Sequence, residues 1–403
     1  MSCRGSKPLS LLSLLFLATL ALKYYYLDSI DSRRLERRSL EVHVDTTSEE
    51  TSTQASTCNC TDESGANHNL CYNESASGRP FNCAWLAHLK RLRLLNSNDF
   101  VDLRNGRMPE PVFVTACSSG HWAEALQLLE NLRARFPESR IVFYDLGLRN
   151  GQIAELSKRP NVEYRRFGFE KYPSHVGNLR EYRWKPIVIA ETLGDFGAIW
   201  YCDSSIVFET SDLDPIYGLI ECRNPAKKAR LLLKTTDVEM SQRSFGNKLD
   251  WRNDVERCDK AAYMLHSVAG GSVWAHMHPG VYDFLPSNLD ALKKETMYEA
   301  GFVFAVRTRE VWRDVVKWYV LCALEKECMA PEGAQLRCAQ SVKHPYTGHA
   351  NCHRFDQSVI NTLLVNRFGS SDHWTSERND FFKVARLPPL KMIWSYLVSL
   401  VLY

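Results

Sequence analysis

The sequence has no excess of charge of either sign: 50 Lys plus Arg stand against 47 Asp plus Glu over 403 residues, a formal net of +3. That balance withholds the basic surface that nucleic-acid binding requires, so no nucleic-acid partner is expected. A long unbroken apolar run is also missing. The N-terminal stretch Leu9 to Leu22 falls short of a ~30 Å hydrocarbon core at ~1.5 Å per residue, and approaches that span only by continuing through the tyrosines to Leu27. Zinc-ribbon spacing is absent from Cys58, Cys60, Cys71 and Cys83, which favours disulfides over metal. Residues 46–57 have too few apolar groups to pack a core.

What is present gives the chain an address. Arg4 and Lys7 precede the apolar run, Lys23 can snorkel, and Tyr24, Tyr25 and Tyr26 suit a membrane interface. No clean Ala-x-Ala site follows, so residues 1–27 read as a cytoplasmic tip and signal anchor. The alternative is a signal peptide cut near Ala21, which would make the protein secreted; the arginines at 33, 34, 37 and 38 temper the anchor reading. Residues 28–80 read as a flexible stem carrying two glycosylation acceptors, Asn59 and Asn73. Of 13 cysteines, 12 follow the apolar segment, an even number suited to disulfides in an oxidising compartment.

From Pro111 onward, short apolar runs alternate with helical periodicity. Val112 to Ala116, Arg140 to Tyr144 and Val162 to Phe169 read as strands; Trp122 to Phe136, Gln152 to Lys158 and Pro186 to Leu193 read as helices. Crossover units of this kind build a mostly parallel sheet. Later, Ala269 to Ser272 reads as a small-residue turn, Phe302 to Val306 as a strand, Glu310 to Glu325 as an amphipathic helix and Gln357 to Val365 as another. The body is expected over residues 81–387, followed by an apolar tail, 388–403, packed against it.

The run Ala198 to Phe208 is apolar up to Asp203, passes Ser204 and Ser205, and turns apolar again. A strand buried on both faces reads this way, and ligands of open α/β sheets collect beyond the carboxyl ends of such strands. The segments Val112–Cys117 with His121, Ile141–Leu148, Tyr182–Ile187, the Asp203 strand, Tyr298–Phe302, Lys317–Leu324 and Cys352–Asn361 occur in that order. Together they resemble an animal family of type II membrane proteins placed, by fold, among the GT-A nucleotide-diphospho-sugar transferases. The resemblance runs from about residue 80 to residue 387 and implies a Rossmann-like α/β GT-A fold, its mostly parallel sheet flanked by helices. It carries a reaction less firmly than a fold, because the two separate readily.

The resemblance implies a glycosyltransferase of hexosyltransferase type, moving a sugar from a nucleotide-sugar donor to a glycan or glycoprotein acceptor in the Golgi or another secretory-pathway membrane. Related transferases carry Asp-x-Asp where this chain has Asp203 and Ser205, so these two are the expected ligands of a divalent cation, Mn or Mg. Ser205 offers only a neutral oxygen, and Lys185 or Arg183 could supply the positive charge instead. Donor-binding candidates are Thr115 and Ala116 at one strand end, Asp145 at the next, then Arg183, Lys185 and Gly301. Asp145 reads equally well as a turn residue. Glu299 and Asp356 are the acids available for catalysis; Asp356 also suits a helix cap. His353, Arg354, His276 and His278 are weaker anion or metal candidates. Cys322, Cys328, Cys338 and Cys352 are expected in disulfides, in any of three pairings, whereas Cys117 and Cys202 read as buried thiols. The rival to an enzyme is an inactive GT-A-like lectin or scaffold that lost the second acid.

Overall fold

The computed structural model describes residues 58–72, 78–95, 97–234, 251–338, 348–376 and 380–386. All fall in one unit, Ala55–Tyr403. The expected anchor, Asn73 and the tail 388–403 lie outside the described residues, among which no helix is long and apolar enough to cross a membrane.

The first described segment is a hairpin, β1 (Asn59–Thr61) against β2 (Asn67–Asn69). Two disulfides, Cys58–Cys71 and Cys60–Cys83, fix it. Leu70 is fully buried, and Tyr72 meets Trp318 edge-on at 5.2 Å between ring centroids. Residues 58–72, expected in the stem, are therefore packed into the folded body. Cross-links, and not apolar content, hold this polar segment in one shape.

The central sheet begins with β3 (Val112–Cys117), β4 (Ile141–Asp145), β5 (Val162–Arg166) and β6 (Ala198–Cys202), all mutually parallel. β3, β4 and β6 are buried at every position, as their unbroken apolar runs require. Beyond them β7 (Ile206–Phe208) leaves the sheet, while β8 (Tyr263–Leu265) returns to its edge. β9 (Val268–Ser272) pairs antiparallel with β10 (Thr296–Tyr298) outside it. β11 (Phe302–Val306) inserts antiparallel between β6 and β8, giving the order β5-β4-β3-β6-β11-β8. A last strand, β12 (Phe382–Val384), pairs with β7. The fold class is thus α/β with a mostly parallel six-stranded sheet, as the sequence implied. The stretch expected to be a turn, Ala269 to Ser272, lies in β9; Gly270 and Gly271, with φ of 86° and 70°, let the strand bulge.

Four helices frame the sheet's working edge. α1 (Trp122–Arg135) buries Ala125, Leu128, Leu129 and Leu132, the face its periodicity marks. α2 (Trp184–Phe196) places Pro186 in its first turn, where the missing N–H has no intrahelical partner to lose, and stops at Gly197 with φ 77°. α3 (Lys317–Leu324) follows a π-helical stretch, Val311–Val316, and packs between α2 and α4 (Asp356–Phe368). The expected amphipathic helix is therefore apolar on nearly all sides, because helices cover both flanks.

Ten cysteines are paired. Besides the hairpin's two bridges there are Cys222–Cys258, Cys322–Cys328 and Cys338–Cys352, consistent with an oxidising lumenal or extracellular setting. Cys117 and Cys202 are free and buried. Burial, with Asp145 and Glu124 nearby, pushes the Cys117 thiol up to about 12, which makes it inert as a nucleophile.

Candidate active site

β3 and β6 lie side by side and parallel, so their carboxyl ends open onto one edge. A cleft of ≈ 580 Å³ occupies that edge, lined by Ala116, Asp203, Ser205, Glu299, Gly301 and Asp356. Asp203 follows β6 directly. Its N–H donates to the Gly301 carbonyl at 2.7 Å, and its own carbonyl accepts from Ile206 at 3.0 Å, closing a turn. A methyl group at Gly301 would sit 2.7 Å from Asp203 Oδ2, so only glycine permits this approach.

The floor of the cleft is a buried ion cluster. Lys185 Nζ lies 2.8 Å from Asp356 Oδ2 and 3.2 Å from Asp203 Oδ1. Side-chain exposure separates the two acids: 5% for Asp356 against 37% for Asp203, so Asp203 alone faces solvent substantially. Tyr201 donates its hydroxyl to Asp203 Oδ1 at 2.8 Å. Burial opposes the charge on Lys185, but Asp203 and Asp356 outweigh it and hold the ammonium above its ordinary value. Burial also raises the Asp356 carboxyl, against the opposing pull of Lys185. Burial raises Tyr201 as well, with Asp203 adding to it, so the phenol donates and does not ionise.

Backbone strain presents both buried partners. Tyr182, just before α2, has φ 54° and ψ 21°; Phe355, just before Asp356, has φ 47° and ψ −113°. Such conformations in bulky residues cost about 1–3 kcal/mol each and persist only where packing overrides them. Asp356 opens α4, accepting from the Gln357 N–H, and its carboxylate also meets Lys185. Glu299 accepts from Ser267 Oγ at 2.6 Å. Its strand is pinned by Asn361, whose amide exchanges bonds with the Tyr298 N–H and carbonyl at 2.9 and 2.8 Å.

Three donor-binding candidates are not brought to the cleft. Arg183 is buried and donates to the carbonyls of Ala323, Glu325 and Lys326 at the end of α3. It stands two residues from Lys185, about 200° around a helix, and so points away. Asp145 closes a turn by accepting from the N–H groups of Gly147 and Leu148, and takes the Tyr164 hydroxyl on its other oxygen. Thr115 is buried in the sheet, while its neighbour Ala116 lines the cleft. His353 is also structural, bonded to the Met329 carbonyl and the His278 N–H. His276 lies within ligating distance of Cys338 and Cys352, but those sulfurs are bonded to each other.

The site also includes residues that sequence reasoning passed over: Tyr201, buried beside Asp203, and three arginines that line the cleft. Tyr201 was legible, since it shares a strand face with Asp203 at a spacing of two. Arg180, Arg337 and Arg386 had no local signal. Along with Arg354 they line the cleft, and none of the four guanidinium groups is ion-paired among the described residues. Arg386 follows Ala385, whose N–H donates to the Ser205 carbonyl at 2.7 Å.

The donor set fits a divalent cation poorly. Hard cations take several oxygen ligands; at the expected Asp-x-Asp position the chain presents one carboxylate, already shared with Lys185, and a serine, while Glu124 and Glu299 line the cleft on bonds of their own, to His121 and Ser267. Asp356, with 5% of its side chain exposed, is engaged by Lys185 Nζ at 2.8 Å.

The family described as "protein of unknown function (DUF1647)" matches residues 58–190. No curated protein matches the sequence. Among solved structures, the chain is similar to the galactosyltransferase LgtC in complex with donor and acceptor sugar analogues, at 13% identity and a TM-score of 0.28, covering 60% of this chain and 83% of that one. An active-site mutant of LgtC gives 12% identity, a TM-score of 0.27 and the same coverage. The bifunctional glycosyltransferase WbbM in its apo form gives 11% identity and a TM-score of 0.27, covering 56% of this chain and 37% of that one. Likeness at these identities leaves activity open.

Proposed function

We propose that this chain is a glycosyltransferase of the secretory pathway, Golgi-resident and membrane-anchored, that moves a sugar from a nucleoside-diphosphate donor to a glycan or glycoprotein acceptor. The observation that carries this reading is the cleft at the carboxyl ends of β3 and β6, where a half-exposed Asp203 stands over the buried Lys185–Asp356 pair. The order of sequence motifs around it, read above as resembling GT-A transferases, supports the same assignment.

In the reaction, the acceptor hydroxyl oxygen bonds the anomeric carbon while the bond from that carbon to the β-phosphate oxygen breaks. The departing nucleoside diphosphate takes the electron pair. The hydroxyl proton passes to a cleft carboxylate, for which Glu299 is our candidate: it lines the cleft outside the Lys185 cluster and accepts a hydrogen bond from Ser267. Ala116 and Gly301 offer backbone against which nucleotide and sugar can lie closely. Lys185 holds Asp203 in place, and its charge favours the anionic leaving group.

The test is release of nucleoside diphosphate by the purified full-length chain, assayed across a panel of nucleotide sugars with and without glycoprotein acceptors. Turnover that disappears in Asp203→Asn and Glu299→Gln supports the reading. Glycan binding without turnover or nucleotide binding would assign the lectin-like role instead.

A further inference from the structure

The four cleft arginines contrast with the rest of the surface, where many arginines are spent on carboxylates: Arg93 and Arg165 on Asp195, Arg159 on Glu130, Arg367 on Asp314. Arg354 lies two residues before Asp356 and acts electrostatically on Tyr182, next to Lys185. Arg337 is joined to that segment through the Cys338–Cys352 bridge, so both cations hang from one cross-linked wall. Arg386 comes from the opposite side, carried by β12 to the position beside Ser205. These three arginines thus line the cleft, while Lys185 supplies a fourth charge from the floor.

This arrangement inverts the usual logic of a cation site. A divalent ion needs a ring of uncommitted oxygens, and here Asp203 already has an ammonium and a phenol on it, Glu299 a serine hydroxyl and Glu124 an imidazole. The second position is a serine whose carbonyl is committed to the strand that brings in an arginine. Guanidinium forks match phosphate oxygens two at a time and stay charged at every accessible pH.

We propose that the cleft binds the diphosphate of its donor without a divalent cation, with Lys185, Arg354, Arg337 and Arg386 supplying the positive charge. The inference rests on the glycosyltransferase reading above and concerns the same cleft. The fixed cations stabilise the electron pair left on the β-phosphate oxygen when the glycosidic bond breaks, and no metal has to enter or leave with the nucleotide.

The experiment is calorimetric titration of the full-length chain with uridine, guanosine, cytidine and adenosine diphosphates and with inorganic pyrophosphate, in EDTA and again in manganese. The expected result is binding of at least one nucleotide in EDTA with an affinity that manganese leaves unchanged. Arg354→Gln and Arg386→Gln, with folding checked by circular dichroism, should each weaken that binding about tenfold or more. Ser205→Asp, which offers the missing acid, should introduce a manganese dependence. Binding that requires manganese, or arginine variants that bind as tightly as the parent, would overturn the inference while leaving the donor assignment standing. Absence of nucleotide binding in both buffers would overturn the donor assignment itself, and the inference with it.

Discussion

Lys185 is charged where water scarcely reaches it, with 3% of its side chain exposed, and it stays charged only because two acids meet it there. Removing the lysine should therefore cost more than removing a surface ion pair. Lys185→Met leaves Asp356 buried without a counter-ion, and a loss of about 3–5 kcal/mol is expected in urea unfolding. The double change Lys185→Met with Asp356→Leu removes both charges and should recover most of that loss. Equal instability of the single and double variants would show that the cluster is held by packing and not by charge. Gly301 makes a different demand, one of space. Gly301→Ala sets a carbon 2.7 Å from Asp203 Oδ2, so a destabilisation of about 1–3 kcal/mol is expected with a displaced carboxylate. Nucleotide titration should show weaker binding than the stability loss explains.

The elements differ in how openly the sequence declares them. β3, β4, β6 and β11 were legible because a strand covered on both faces needs nothing but apolar residues, and each is buried throughout. The pairs β7–β12 and β9–β10 were not, since three-residue strands, and a five-residue one interrupted by two glycines, leave no clear local period. The site divides the same way. Asp203, Lys185, Gly301, Glu299 and Asp356 could be named singly from strand ends and helix starts, but the placement of one lysine between two acids is a tertiary fact. Arg183 was the misleading residue, since its type suggested phosphate and its direction serves α3. Arg183→Met should leave three carbonyls without their donor, costing about 3 kcal/mol or more in denaturant unfolding. The folded fraction should still bind nucleotide like the parent; weakened binding would return Arg183 to the cleft.

At the scale of the whole molecule, two buried histidines set an acid limit. Burial lowers both His266 and His353 from about 6.5 to about 3. Between those values the unfolded chain binds protons that the folded chain refuses, so the stabilising contribution is complete above about pH 6.5 and is lost as pH falls toward 3. Each histidine contributes up to about 1.4 kcal/mol per pH unit across that window. Urea midpoints measured from pH 7 downward should fall, and His353→Gln should flatten the slope. Asn59 projects from the exposed side of β1, where a glycan meets no packing, and Asn73 lies outside the described residues. Treatment of the cell-expressed chain with peptide:N-glycosidase should increase gel mobility, and Asn59→Gln should remove part of that shift. The pairing of β12 with β7 has a consequence in time. Ser205 emerges during synthesis roughly 180 residues before the strand that completes its wall, a wait of roughly 10–40 s at translation rates of about 5–20 residues per second. Throughout that interval the parallel half of the sheet can form, yet Arg386 has not been made. A nascent chain therefore carries an unfinished cleft until β12 and Arg386 have left the ribosome.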